Sequence, residues 1–89
     1  MNVVRCSWDL EIVALGGLGV CRFNEFQRHL GISRKVLSER LRWLAEAEIL
    51  ERRKYQDAPE RYEYVLTVKG SELLPVHAAM LKWRQRWLR

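Results

Sequence analysis

The side chains best suited to chemistry lie along residues 33–44, Ser-Arg-Lys-Val-Leu-Ser-Glu-Arg-Leu-Arg-Trp-Leu. Arginine can donate two hydrogen bonds to guanine O6 and N7, serine can meet several base edges, and lysine more often binds phosphate. Such groups on one helix face suit a polyanion, and a solvated helix face is the alternative interpretation. The candidate contacts here are Ser33, Arg34, Lys35, Ser38, Glu39, Arg40 and Arg42. Of these, Arg40 is equally suited to pairing with a nearby acid, and Glu39 either accepts from cytosine N4 or, as we favour, balances charge.

The same segment predicts a helix with one buried edge. Ser33 is suited to cap it, because a serine hydroxyl accepts a hydrogen bond from an unpaired first-turn N–H. On a helical wheel, Leu37, Leu41 and Leu44 fall within roughly 60° of one another. We therefore expect the leucine edge to pack on the domain and the polar groups to face outward.

A second helix is predicted just before it, at about residues 23–30, where Phe23, Phe26 and Leu30 give a helical apolar stripe. Gly31 and Ile32 form a turn too short to be a linker. Two helices joined by such a turn are typical of a helix-turn-helix, whose second helix enters a DNA major groove. The pattern also occurs in helical corners of proteins that do not bind DNA.

Further upstream, apolar spacing over residues 8–15 predicts another helix that ends at Gly16-Gly17, and residues 19–22 could form a small strand.

A β-hairpin is predicted after the leucine-edged helix. Residues 49–53 alternate weakly, the sequence Asp57-Ala58-Pro59 signals a turn, and residues 61–66 are rich in β-forming side chains. A hairpin that follows a helix-turn-helix is a wing. Its basic residues are suited to contact phosphates or a minor groove, and the candidate contacts are Arg53, Lys54 and Arg61, with Arg52 at the base.

The last segment predicts a helix over about residues 68–88, capped by Thr67 and bent or restarted at Pro75. Two apolar edges run along it: one through Leu73 to Trp87 at heptad spacing, the other through Leu74 to Leu88. One edge is expected to pack on the domain and the other to meet a second copy of the chain. The predicted dimer contacts are Val76, Met80, Trp83, Trp87 and Leu88.

Composition narrows the function classes. The chain has 89 residues, 48% hydrophobic, with a net charge of +5, so one domain and a polyanionic partner are expected. Four of the positive charges lie in the last eight residues.

No secretory signal or apolar run long enough to span a bilayer is visible, which predicts an intracellular, cytoplasmic protein without a membrane partner. No catalytic constellation, cofactor motif or metal-ligand spacing occurs, so we expect neither an enzyme nor a bound metal or cofactor.

The two cysteines allow two interpretations. Cys6 and Cys21 are most simply buried small hydrophobic residues. A redox role stays open, because Arg5 and Arg22 adjoin them in sequence and a neighbouring cation lowers a thiol pKa.

An ordered series of motifs over about residues 8–83 resembles the HxlR-type (DUF24) winged-helix regulators, relatives of the MarR group. It comprises Trp8 with Ile12-Val13, Arg22-Phe23-Asn24-Glu25-Phe26, Gly31 to Leu41, Leu50-Glu51-Arg52, Pro59 to Tyr64, and Leu66-Thr67-Val68-Lys69-Gly70 with Leu74-Pro75. The resemblance implies a dimeric bacterial or archaeal DNA-binding protein whose terminal helices form the dimer. Redox-responsive members carry a sensor cysteine before proline in an extra first helix, and Cys6 does not match that position.

Together these patterns predict an α+β, mostly α fold: one winged helix-turn-helix domain over 1–89, with a two- to three-stranded small sheet and a C-terminal dimerisation helix. Its expected parts are a helix-turn-helix at about 23–47, a wing at about 49–66 and the C-terminal helix at about 68–88. The predicted function is a sequence-specific transcriptional regulator that binds double-stranded DNA as a homodimer, with helix 33–46 in the major groove and residues 52–61 on the backbone or minor groove. The alternatives are a protein-interaction module without DNA binding and a redox-controlled regulator. Any small-molecule effector is unknown.

Overall fold

The computed structural model describes residues 7–88, which form five helices and one two-stranded sheet. In chain order the elements are α1 (Ser7–Gly17), α2 (Phe23–Leu30), α3 (Arg34–Glu46), β1 (Leu50–Asp57), β2 (Glu60–Leu66), α4 (Val68–Ser71) and α5 (Leu74–Trp87). The predicted fold class, mostly helical with a small antiparallel sheet, is confirmed.

One apolar core joins α1, α2, α3 and the start of β1. Its side chains are at most 2% exposed, and they are Ile12, Val13, Phe26, Leu37, Leu41, Leu44, Ile49 and Leu50. The three leucines of the predicted buried edge of α3 all belong to this core. Burial of a leucine side chain stabilises a fold by about 1.5–3 kcal/mol. The outer face of α3 is thereby fixed towards solvent.

The turn between α2 and α3 determines the residue at which α3 begins. Gly31 ends α2 in the left-handed conformation at φ 66°, which glycine adopts without a steric penalty. Two residues later Ser33 caps α3, because its Oγ accepts a hydrogen bond from the Val36 N–H at 3.1 Å. The predicted cap is thus confirmed.

The hairpin pairs β1 and β2 in antiparallel register from Leu50 opposite Leu66 to Asp57 opposite Glu60, with a bulge between Lys54 and Gln56. A third strand is reduced to one bridge between Arg22 and Glu63. Beside it the Tyr64 N–H donates to the Cys21 carbonyl at 2.7 Å. This contact ties the hairpin to the start of α2.

The continuous helix predicted over residues 68–88 is divided in two. Thr67 caps α4 by accepting a hydrogen bond from the Gly70 N–H at 2.9 Å, and α4 ends at Ser71. Pro75 then lies in the first turn of α5, where its missing N–H is harmless. Pro75 therefore restarts the helix.

Only the start of α5 packs on the body of the domain. Leu73 and Leu74 contact the core, whereas Leu81 is 40% exposed and Leu88, a predicted dimer contact, is 64% exposed. The expectation that one whole edge packs on the domain is therefore wrong beyond Leu74. No helix within residues 7–88 is long and apolar enough to cross a membrane.

Candidate nucleic-acid interface

The outer face of α3 and the hairpin enclose a cleft of about 580 Å³. Lys35, Ser38 and Arg42 line its helical side, together with Glu39 and two residues near the end of α3. Arg52 and Tyr64 line its hairpin side. We call this the α3 cleft. It brings together hydrogen-bond donors from two elements that are distant in sequence.

Most of the predicted contacts on α3 are exposed. Ser33, Arg34, Lys35, Ser38, Glu39 and Arg42 all lie at the surface. Neither Lys35 nor Arg42 forms an ion pair with any acid in the described part of the chain. Their charges are thus available to an external anion.

Arg40 has a different environment. Its side chain is only 19% exposed, and its Nη1 lies 3.8 Å from Oδ2 of Asp9, a fully buried side chain of α1. The pair joins α3 to α1 beneath the surface. Of the two roles predicted for Arg40, the structure favours pairing with an acid over a contact with DNA.

The basic residues of the hairpin lie on both faces. Arg53 pairs with Glu51 at 2.8 Å, whereas Lys54 lies 3.2 Å from Glu60 and 3.7 Å from Asp57. Arg61 is exposed and forms no ion pair with the acids of residues 7–88.

Arg52, which the sequence places among the basic residues of the wing, also lines the α3 cleft. Its guanidinium stacks on the Tyr62 ring at 3.7 Å from the centroid, and its cross-strand partner is Tyr64. Because side chains alternate along a strand, Arg52 points to the α3 side and Arg53 to the other side. The alternation along β1 is therefore the feature of the sequence that predicts the face on which Arg52 lies.

Cys21 is half-buried, and its Sγ donates to Oε2 of Glu63 at 3.5 Å. Burial raises the pKa of the Cys21 thiol, and the Glu63 carboxylate raises it further; the charge of Arg22 lowers it by less. A raised pKa depletes the reactive thiolate, which disfavours the redox interpretation for this residue. Cys6 lies outside the described residues.

The predicted dimer contacts share one property, which is exposure. Val76, Met80, Trp83, Trp87 and Leu88 are 46–64% exposed. Tryptophan rarely stands so open on a monomer surface, so α5 presents an uncovered apolar face.

These geometries can be set beside known proteins. The family model for the HxlR-like helix-turn-helix matches residues 3–89. The chain belongs to this family. The resemblance drawn from the sequence motifs is therefore confirmed.

Named relatives agree with this assignment. An uncharacterised HTH-type transcriptional regulator of Mycobacterium tuberculosis is 40% identical over 88 residues, which are 99% of this chain and 56% of the relative. The chain thus spans little more than half of that protein. An uncharacterised HTH-type transcriptional regulator of Bacillus subtilis, YvaP, is 38% identical over 89 residues, covering 99% of this chain and 82% of the relative.

Among solved structures, the reduced form of the transcriptional regulator YodB from Bacillus subtilis superposes with a TM-score of 0.83 at 32% identity. The match covers 97% of this chain and 85% of YodB. The winged helix-turn-helix architecture is therefore shared along nearly all of the HxlR-like chain described above.

Proposed function

We propose that this HxlR-like chain is a sequence-specific transcriptional regulator that binds double-stranded DNA. The observation that carries the proposal is the α3 cleft, in which the unpaired donors of α3 face Arg52 of the hairpin. A major groove is about 12 Å wide and admits one α-helix. The buried leucine edge of α3 leaves its opposite face free to enter such a groove.

Each side chain then has a role that follows from its chemistry. Arg42 and Ser38 read base edges, since arginine recognises guanine in a bidentate way and serine accepts several edges. Lys35 binds phosphate as a point charge. Glu39 balances the charge of its neighbours on α3.

The hairpin contributes a second set of contacts. Arg52 and Arg61 meet the backbone or the adjacent minor groove. Arg53 and Lys54 can exchange their exposed acid partners for phosphates, because exposed ion pairs contribute only about 0–1 kcal/mol.

We further propose that a second copy of the chain covers the apolar face of α5. Four tryptophan side chains, two from each copy and each about 60% exposed, would bury on the order of 350–600 Å². That is up to about half of the roughly 1,200 Å² that a stable interface needs. The remaining apolar residues of α5 can supply much of the rest. A twofold dimer matches an inverted-repeat operator with half-sites about one helical turn or more apart.

Fluorescence anisotropy with duplexes selected from a random pool tests DNA binding. We expect tight binding at low salt and a steep loss of affinity as salt rises, because each neutralised phosphate releases counterions. The double variant Lys35→Ala plus Arg42→Ala should bind at least about tenfold more weakly.

A charge-matched control removes two exposed arginines away from the cleft, Arg28→Ala plus Arg84→Ala. This variant should keep most of the affinity. If no duplex binds at low salt, or both double variants bind alike, the assigned interface is wrong. A selected site without twofold symmetry would contradict the dimer.

A further inference from the structure

A second groove, of about 690 Å³, lies between the starts of α2 and α3 and the hairpin. Three arginines from three different segments line it: Arg22, Arg34 and Arg61. We call it the arginine groove. Tyr64 lines both this groove and the α3 cleft, so the two are adjacent.

The arginines of this groove outnumber its carboxylates by three to two. None of the three forms an ion pair with any acid of the described chain. The two carboxylates that line the groove are engaged with other donors. Glu25 accepts from the backbone N–H of Arg22 at 3.3 Å, and Glu60 accepts from Lys54 Nζ and from Tyr62 Oη, both at 3.2 Å. The groove therefore keeps an excess of positive charge.

Aromatic rings hold two of the guanidinium groups in place. The Arg22 guanidinium lies 4.2 Å from the Tyr55 ring centroid, and that of Arg34 lies 4.7 Å from the Phe23 centroid. Stacking leaves the edges of a guanidinium free to donate hydrogen bonds. Because the groups are already ordered, less side-chain entropy is lost when an anion binds.

The position of the groove indicates which anion it receives. In a duplex, one sugar-phosphate strand separates a major groove from the next minor groove. If α3 enters the major groove and the hairpin reaches beyond it, that strand must pass between the two elements. The arginine groove lies between the first turn of α3 and the hairpin.

We propose that the arginine groove binds the phosphodiester backbone that borders the major groove occupied by α3, with Arg22 as a phosphate ligand supplied from outside α3 and the hairpin. This inference rests on the proposed function. It adds a contact that positions the protein on DNA without reading sequence.

The consequence is measurable as a salt dependence. Arg22→Ala should lower affinity about three- to tenfold for selected and scrambled duplexes alike. The slope of log affinity against log salt should become shallower by about 0.9, the contribution of one phosphate. Arg22→Lys, which keeps the charge, should retain the wild-type slope. Arg28→Ala, an arginine of α2 outside the groove, is the matched control and should leave the slope unchanged.

A structural role for Arg22 gives a different result. If Arg22 acted only by holding the hairpin through Tyr55, Tyr55→Leu would reproduce the affinity loss of Arg22→Ala, and neither variant would change the salt slope. Duplexes with single neutral methylphosphonates provide a second readout. A methylphosphonate at one backbone position should weaken duplex binding by the wild type but not by Arg22→Ala.

The outcomes separate this inference from the function on which it rests. Failure of every duplex to bind overturns both. Binding that needs Lys35 and Arg42 but shows an unchanged slope in Arg22→Ala, with no methylphosphonate position coupled to Arg22, overturns the inference alone.

Discussion

At the residue scale, two arginines of α3 that lie two positions apart have opposite environments. Arg40 points inward to the buried carboxylate of Asp9, whereas Arg42 lines the α3 cleft. Removal of one partner of a buried ion pair is costly, because the remaining charge is left in a poorly solvated site. Removal of an exposed arginine costs little stability.

Arg40→Ala and Arg42→Ala should therefore separate stability from DNA binding. We expect Arg40→Ala to lower the free energy of unfolding by about 1–3 kcal/mol. Arg42→Ala should change it by about 0.5 kcal/mol or less and instead weaken duplex binding. Urea denaturation measures the first effect and anisotropy the second. Equal stability losses in the two variants would contradict the role given to the Asp9 pair.

At the element scale, the junction between α3 and β1 depends on one strained residue. Glu48 has φ 62°, a left-handed conformation that costs a residue with a Cβ about 1–2 kcal/mol. The backbone there is held in place, since the Glu48 carbonyl accepts from Thr67 Oγ1 at 2.6 Å. This turn leads the chain from α3 into the hairpin, so it sets the geometry of the α3 cleft.

Glu48→Gly should stabilise the protein by up to about 1 kcal/mol, because glycine adopts this conformation without penalty. Its matched control is Glu39→Gly, an exposed glutamate in the interior of helix α3. There glycine should destabilise by about 1 kcal/mol. Thermal and urea unfolding give both values. A loss of stability in Glu48→Gly would show that the glutamate side chain makes a contact worth more than the strain.

At the scale of the whole molecule, α5 stands out from the body. It contacts α1 at its start, and its later residues expose two tryptophans. A domain of this size buries only about 60% of its unfolded surface, so a partner that covers α5 would add substantially to stability.

Sedimentation equilibrium should give the full chain a mass twice its monomer value of 10.6 kDa. Trp83→Ala plus Trp87→Ala should shift the mass towards the monomer, because large aromatic side chains dominate interface energies. Val68→Ala removes an apolar side chain that is 80% exposed on α4 and serves as control. A wild-type chain that is monomeric at tens of micromolar would rule out the α5 interface.

Local periodicity in the sequence was sufficient to predict α3 and its orientation. Leu37, Leu41 and Leu44 repeat at the helical period, and Ser33 stands where a cap is needed. Both features depend on backbone geometry within a few residues, which is why they are visible in the sequence. The hairpin was likewise predicted from local features, the turn signal at Asp57-Ala58-Pro59 and the β-forming residues 61–66, and strand alternation also predicts the face of Arg52.

Which charges are available to a ligand depends on contacts between segments that are distant in the sequence. Arg40 meets Asp9, 31 positions earlier in the chain, and Lys54 meets Glu60 across the hairpin. Arg22 joins Arg34 and Arg61 in one groove because a single bridge ties its segment to β2. Helix α5 begins anew at Pro75, and beyond Leu74 its apolar side chains are exposed. Residue types set what each side chain can do, but packing between distant segments sets which of them faces solvent.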